Sequence, residues 1–230
     1  MSGGSGGALE RTESMKIIVF GATGGSGRAI VARALAAGHE VTAFARDPAR
    51  LDPAPGLRLV GGDAVRPEDV ARAVPGHAAV IVSLGERPGR FDWLPGPHRS
   101  ASSRVCELGT RNILAALETG AAARLVVISA FGVGETRAMA PWYFRIYFRL
   151  FLRDQMADKA RQEALLKASD ADFVLVQPVA LTDAPATGDW RASTAGVPRA
   201  AQVSRGDLAA FIVEELAAKR HHRATVTFSG

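Results

Sequence analysis

The chain alternates short, unbroken apolar runs with longer stretches whose apolar residues recur at helical spacing. Runs rich in Val, Ile, Leu and Phe at 16–20, 40–45, 57–61, 78–83, 124–129, 172–177 and 223–228 predict strands. Most of these runs lack polar alternation, the pattern of parallel strands covered on both faces. Between them, Ala- and Leu-rich stretches predict helices near 25–37, 67–74, 101–119, 140–168 and 206–219. The expected fold class is therefore α/β, a doubly wound, mostly parallel sheet with helices on both faces.

Two segments interrupt this alternation. Residues 85–100 form a Pro/Gly-rich stretch carrying Phe91, Trp93 and His98. Residues 178–204 are similarly irregular, with Pro178, Pro185, Gly188, Trp190, Gly196 and Pro198. Both follow expected strands at their C-terminal ends, where open α/β sheets bind ligands. They are candidate substrate loops, with plain surface decoration as the alternative. Residues 1–14, dominated by Gly and Ser, read as a disordered or tag-like leader, leaving 15–230 as one expected domain.

Composition narrows the function. A chain of 230 residues with 47% hydrophobic content suits one α/β domain with a large core. The single cysteine, Cys106, excludes an intrachain disulfide, fits a cytoplasmic location and reads as a small buried apolar residue. No apolar run is long enough to span a membrane. The net charge of +5 is spread along the chain, so no nucleic-acid partner is expected. The five histidines lack metal-ligand spacing, and no metal is expected.

The first strand empties into Gly21-Ala-Thr23-Gly24-Gly25-Ser26-Gly27-Arg28, and an apolar helix pattern follows. Glycines at 21, 24 and 27 suit a tight turn, close approach to a pyrophosphate, and close packing of helix on strand. The first N–H groups of the helix then form an anion site. Strand, turn, helix and second strand together mark a dinucleotide site in a Rossmann-type fold. After the second strand comes Arg46-Asp47-Pro-Ala-Arg50, where an NAD-specific site would place an acid. A guanidinium suits a 2′-phosphate, so NADP(H) is preferred; Asp47 keeps NAD(H) possible. Asp63 and Ala64 follow the third strand, where they suit the adenine. Ser83, Leu84 and Gly85 follow the fourth, beside the expected ribose and phosphates.

These landmarks resemble the atypical short-chain dehydrogenase/reductase superfamily, in the NAD(P)H-binding branch of NmrA-like and flavin/biliverdin-reductase-B-type proteins. The likeness covers essentially all of 15–230. It rests on the glycine turn, Arg46 to Arg50, Gly62-Asp63, Ile128-Ser129-Ala130, Gln177 to Asp183, and Val203-Ser-Arg-Gly-Asp207. By that resemblance, Gly21, Thr23, Gly24, Gly25, Ser26, Gly27 and Arg28 hold the pyrophosphate. Arg46 and Arg50 take the 2′-phosphate, Asp63 and Ala64 the adenine, and Pro178 and Val179 flank the nicotinamide. Ser129 stands where the superfamily's catalytic serine faces the reacting carbonyl.

The chain departs from the superfamily at its Tyr-x-x-x-Lys pair. Aligned on Lys159 and Glu163, the tyrosine position holds Gln155, which donates a hydrogen bond but supplies no proton. Lys159 either touches the nicotinamide ribose or is a solvated helix lysine. Upstream, the run from Trp142 and Tyr143 to Leu152 is apolar, with arginines at 145, 149 and 153. It reads as a pocket wall or dimer contact, as core, or as a membrane-surface helix. Phe91, Trp93, His98, Phe131, Trp142, Tyr143 and Trp190 are the candidate substrate wall. The leading expectation is an NADPH-dependent reductase of a conjugated or aromatic small molecule, monomeric or homodimeric. An NmrA-like cofactor sensor, or an isomerase or dehydratase on the same fold, is the alternative.

Overall fold

The computed structural model describes residues 13–85, 104–118 and 123–230; of Tyr143, Phe144, Tyr147, Phe148 and Phe151 it describes the backbone. Strands β1 (Lys16–Phe20), β2 (Glu40–Ala45), β3 (Leu57–Gly61), β4 (Ala79–Val82), β5 (Arg124–Ile128) and β6 (Phe173–Pro178) follow the apolar runs closely. Helices α1 (Gly25–Ala36), α2 (Pro67–Ala73) and α3 (Val105–Glu118) follow β1, β3 and β4, and a short 3-10 turn at Pro48–Arg50 links β2 to β3. Two helices, α4 (Trp142–Phe151) and α5 (Arg153–Ala168), lie between β5 and β6. The chain continues through β7 (Ala180–Thr182), β8 (Arg191–Ser193), β9 (Gln202–Ser204), α6 (Arg205–Ala218) and β10 (Ala224–Ser229).

The main sheet has the order β3-β2-β1-β4-β5-β6-β10-β8, a Rossmann-type arrangement. All pairs are parallel except β8 on β10. The order reverses between β1 and β4, so loops on either side diverge there and open a crevice at the C-terminal edge.

The unbroken apolar runs have a simple cause. Neighbouring residues of one strand point to opposite faces, and both faces are covered. Ile17 and Val19 pack with Ile30, Val31, Phe211 and Ile212 of α1 and α6. Ile18 and Phe20 pack on the other face with Val70, Ile113 and Leu166 of α2, α3 and α5. Residues 125–128 of β5 divide the same way.

Two sequence expectations need correction. The helix expected over 140–168 is broken at Leu152, whose backbone (φ −121°, ψ 18°) leaves the helical region. Asp158, Gln162, Glu163 and Leu166 anchor α5 in the interior, whereas α4 exposes Trp142, Ile146 and Leu150. One straight helix would not serve both environments. The irregular stretch 178–204 contains three strands of three residues each, with β7 paired to β9 and β8 closing the sheet edge. Asp207 in α6 ties this segment down, accepting from the backbone N–H of Thr187 (3.0 Å) and Gly188 (2.9 Å) and from the Ser204 hydroxyl (2.7 Å). Burial pushes the Asp207 carboxyl up, but these donors outweigh it and hold it below the usual range.

Candidate functional site

The glycine turn is shaped by contact as well as by the ligand it suits. Gly21 has φ +76°, and a Cβ there would lie 2.3 Å from the Ser83 carbonyl oxygen. A Cβ on Gly27 would lie 2.2 Å from the Gly21 carbonyl oxygen. Neither position accepts a side chain without moving backbone. Helix α1 starts behind Gly24 with no side-chain cap and no acidic residue in its first turn. Its leading N–H groups and the positive end of its dipole are left for an anion. Thr23, Gly24, Gly25 and Ser26 surround that end.

A residue assigned no role from sequence also reaches this turn. The Arg205 side chain packs so closely that a Cβ on Gly25 would lie 2.8 Å from its Nε. Its guanidinium donates to Asp183 at 2.7 Å, which holds a cation beside the turn. The cradle, the uncapped helix and this cation fit a diphosphate.

Arg28, Arg46 and Arg50 are exposed near the C-terminal end of β2. Arg28 donates from Nε to the Thr23 carbonyl (3.1 Å) and from Nη2 to the Arg50 carbonyl (2.6 Å), bracing the turn against the short 3-10 turn at Pro48–Arg50. At the adenine end, Asp63 Oδ1 accepts from Val65 N–H at 3.2 Å. Ala64 is buried, its carbonyl held by Asn112 at 2.9 Å. Ser83 and Leu84 are half-buried and Gly85 is exposed at the end of β4.

At the end of β5 the Ser129 side chain turns inward. Ser129 is buried, and its hydroxyl donates into the protein, to Glu163 Oε1. Gln177 Nε2 donates to the same oxygen at 2.8 Å and to the Val133 carbonyl at 3.1 Å, while Gln177 Oε1 accepts from Thr136 Oγ1 at 3.0 Å. Glu163 is 2% exposed, and its Oε2 has no hydrogen-bond partner among the described residues. Burial pushes this carboxyl above the usual glutamate range, against the donors Ser129 and Gln177 and the charges of Lys167 and Lys159. Lys159 Nζ donates to the Ile128 carbonyl at 3.1 Å, so it is fixed beside Ser129 rather than free in solvent.

Sequence reading used Glu163 only to set an alignment and gave Gln177 no role. The signal was present. Gln177 is an amide inside a strand buried on both faces, and such a group needs a buried partner.

The expected substrate wall is brought together in part. Trp142 lines a groove of about 910 Å3 bounded by residues 132–134, α4 and the start of α5. Phe131 is half-buried against the core. Trp190 is not at this groove. Its ring lies 5.3 Å from Phe211 and 5.5 Å from Phe228, so it anchors the 183–201 segment to the core. Phe91, Trp93 and His98 fall outside the described residues, as does the side chain of Tyr143. Pro178 and Val179 are buried at the end of β6, where the Pro178 carbonyl accepts from Phe131 N–H at 2.9 Å. Cys106 is buried.

A family model described as NAD(P)H-binding matches residues 21–219, from the first glycine of the turn to the end of α6. The chain belongs to this NAD(P)H-binding family. A reductase of Aspergillus terreus, pytE, is 29% identical over 244 aligned positions, covering 88% of this chain and 92% of the fungal protein. An uncharacterised chloroplastic protein of Arabidopsis thaliana is 28% identical over 79% of this chain. A 3-beta-hydroxysteroid dehydrogenase of Mycolicibacterium neoaurum is 33% identical over 54% of it. The match spans 65% of the plant protein and 34% of the steroid dehydrogenase.

Solved structures share the fold. The oxidoreductase ylbE of Lactococcus lactis superposes with a TM-score of 0.76 at 21% identity, covering 94% of this chain and 91% of that one. An anaerobilin reductase of Escherichia coli, ChuY, gives 0.70 at 23%, covering 93% and 96%. A short-chain dehydrogenase/reductase of Veillonella parvula in complex with NADP gives 0.73 at 18%, covering 94% of each chain. The family binds NAD(P)H, and the glycine cradle is the candidate place for its diphosphate. The arrangement around Ser129, Lys159 and Glu163 is then the candidate reaction end of the same crevice.

Proposed function

We propose that this chain is an NADPH-dependent reductase of a conjugated or aromatic acceptor, working without a catalytic tyrosine. The observation that carries the reading is one shared edge. The uncapped α1 N-terminus with its arginines, and the Ser129–Lys159 pair, stand at C-terminal ends of β1 and β5, with β4 between them. Bound NADPH supplies a hydride there, and the acceptor then needs a proton.

Gln155 cannot give one, but Glu163 can hold one, because burial favours its neutral form. While Glu163 is ionised, Ser129 spends its hydrogen on Oε1. A proton on Oε1 makes the carboxyl a donor to Ser129, whose own hydrogen is then released toward the acceptor. Passing that hydrogen on leaves serine intact and glutamate ionised, to be reprotonated from solvent. A conjugated acceptor suits this weak acid, since delocalisation stabilises the charge that hydride arrival leaves behind.

The test is NADPH oxidation by the purified protein with flavins, quinones, tetrapyrroles and simple ketones. Turnover with the conjugated compounds and none with simple ketones is expected. Tight, redox-selective cofactor binding with no turnover on any acceptor would instead favour a sensor, which the glutamine at 155 also suits. Arg46→Ala should weaken NADPH by roughly 10- to 100-fold, the size of a lost charge-assisted hydrogen bond, and NADH far less. Equal losses would remove the 2′-phosphate from the reading.

A further inference from the structure

The groove beside the reaction end has a charge pattern that the cofactor does not explain. Four arginines line it: Arg137 from the short helical turn at Gly134–Ala138, Arg145 and Arg149 from α4, and Arg153 from the first turn of α5. Arg145 and Arg149 are one turn apart on α4, and Arg153 joins them in the lining just past the break at Leu152. All four are exposed, and none forms an ion pair with a described carboxylate.

Of the acids of α5, Asp154 beside Arg153 is exposed and lies outside the groove lining. Asp158 faces the other way and accepts from the N–H groups of Cys106 (2.9 Å) and Glu107 (3.0 Å) at the start of α3, and Glu163 is buried beneath the floor. Trp142, Ile146 and Met156 add apolar surface between the guanidiniums.

The floor connects this groove to the chemistry. It is made by residues 132–134, three to five positions beyond Ser129. A Cβ on Gly134 would lie 2.4 Å from Glu163 Oε2, so the floor is one backbone thick above the buried carboxyl. A volume of about 910 Å3 is that of a small-molecule site.

We propose that this groove binds the acceptor and selects an anionic one, with a flat conjugated body and at least two negative charges on carboxylate or phosphate groups. Arg137, Arg145, Arg149 and Arg153 hold the charges, and the apolar surface holds the body. A guanidinium grips such groups bidentately and remains charged throughout. This rests on the reductase reading above and names its class of substrate. A lipid surface would meet the same exposed arginines, but it would not enter a groove whose floor lies over Glu163.

Two pairs of probes share a conjugated body and differ in charge: riboflavin with FMN, and biliverdin dimethyl ester with biliverdin. Equilibrium binding to NADP+-saturated protein, read by fluorescence quenching, should favour the charged member of at least one pair by tenfold or more at low salt. Added salt should shrink that preference. Arg145→Ala/Arg149→Ala and, separately, Arg137→Ala/Arg153→Ala should each reduce it severalfold while leaving NADP+ affinity unchanged. Equal affinity within both pairs, or a preference unmoved in both double variants, would overturn the proposal. So would binding to vesicles of anionic lipid with no preference within either pair. The binding readout separates the two readings. Charge selection without NADPH oxidation sinks the reductase and leaves the anion site, whereas equal turnover of charged and uncharged members does the reverse.

Discussion

Two buried glutamates, one near each end of the parallel strands, receive opposite treatment. Near the N-terminal end, Glu215 is fully buried and both of its oxygens are occupied. Oε1 accepts from Arg124 Nη2 (2.7 Å) and His221 N–H (2.9 Å), and Oε2 lies 2.9 Å from His221 Nδ1. Arg124 also reaches Asp172 at 3.0 Å and the His221 carbonyl at 2.6 Å, tying β5 to the chain between α6 and β10. Near the C-terminal end, Glu163 receives only neutral hydrogen-bond donors, and one oxygen receives none. A buried carboxylate with a direct cation is an anchor. One without is free to take up a proton, at some expense in stability.

The largest effect that tests this contrast is expected at the anchored end. Arg124→Met should cost about 3–5 kcal/mol in urea unfolding, because it removes the buried cation hydrogen-bonded to Glu215 and leaves the exposed Arg220, 3.7 Å from Oε2. Adding Glu215→Leu should recover most of that loss, which keeps the test useful if the single variant folds poorly. A single variant as stable as the parent would mean that the two glutamates do not differ.

The open end should respond in the other direction. Between its ordinary and its raised pKa, Glu163 binds more protons in the folded chain than in the unfolded one. Its contribution to stability therefore falls as pH rises through that window. Glu163→Gln should flatten this slope and leave the protein at least as stable as the parent on the alkaline side. Lys159 and Lys167 remain in both proteins, so the difference between the two pH–stability curves isolates the carboxyl. If the reductase reading holds, the same variant should lower kcat and shift its pH profile with little change in NADPH affinity.

The smallest effect is expected at Asp207, another buried carboxylate, held ionised by donors rather than by a cation. Ser204 caps α6 by accepting from Asp207 N–H at 2.9 Å, so Ser204→Ala should cost about 1 kcal/mol. Asp207 stabilises the fold above the ordinary aspartate pKa and loses that effect as pH falls through its lowered one, opposite in slope to Glu163.

What was legible in the sequence follows from how locally each feature is determined. Seven strands and the glycine turn stand where residue type alone places them. A strand covered on both faces must be apolar throughout, and a backbone that meets the Ser83 carbonyl must lack a Cβ. β7, β8 and β9 were hidden because three residues are too few to show a period. The break at Leu152 was hidden because no glycine or proline marks it. The Glu163–Gln177 contact was hidden for another reason, since it joins a helix to a strand fourteen residues on and each partner looks ordinary alone. Arg205 reaches the cradle across the fold, and no spacing rule relates it to Gly25.

The contact between Gly21 and the Ser83 carbonyl has an evolutionary consequence. The atoms that shape the phosphate cradle are those that let β1 and β4 lie side by side at the centre of the sheet. A mutation that fills the cradle also wedges the sheet apart, so a lineage has no inexpensive route to losing the cradle while keeping the fold. The exposed groove arginines carry no such constraint. On the reductase reading, the groove arginines can be lost one at a time, whereas the cradle can be lost only together with the contact between β1 and β4.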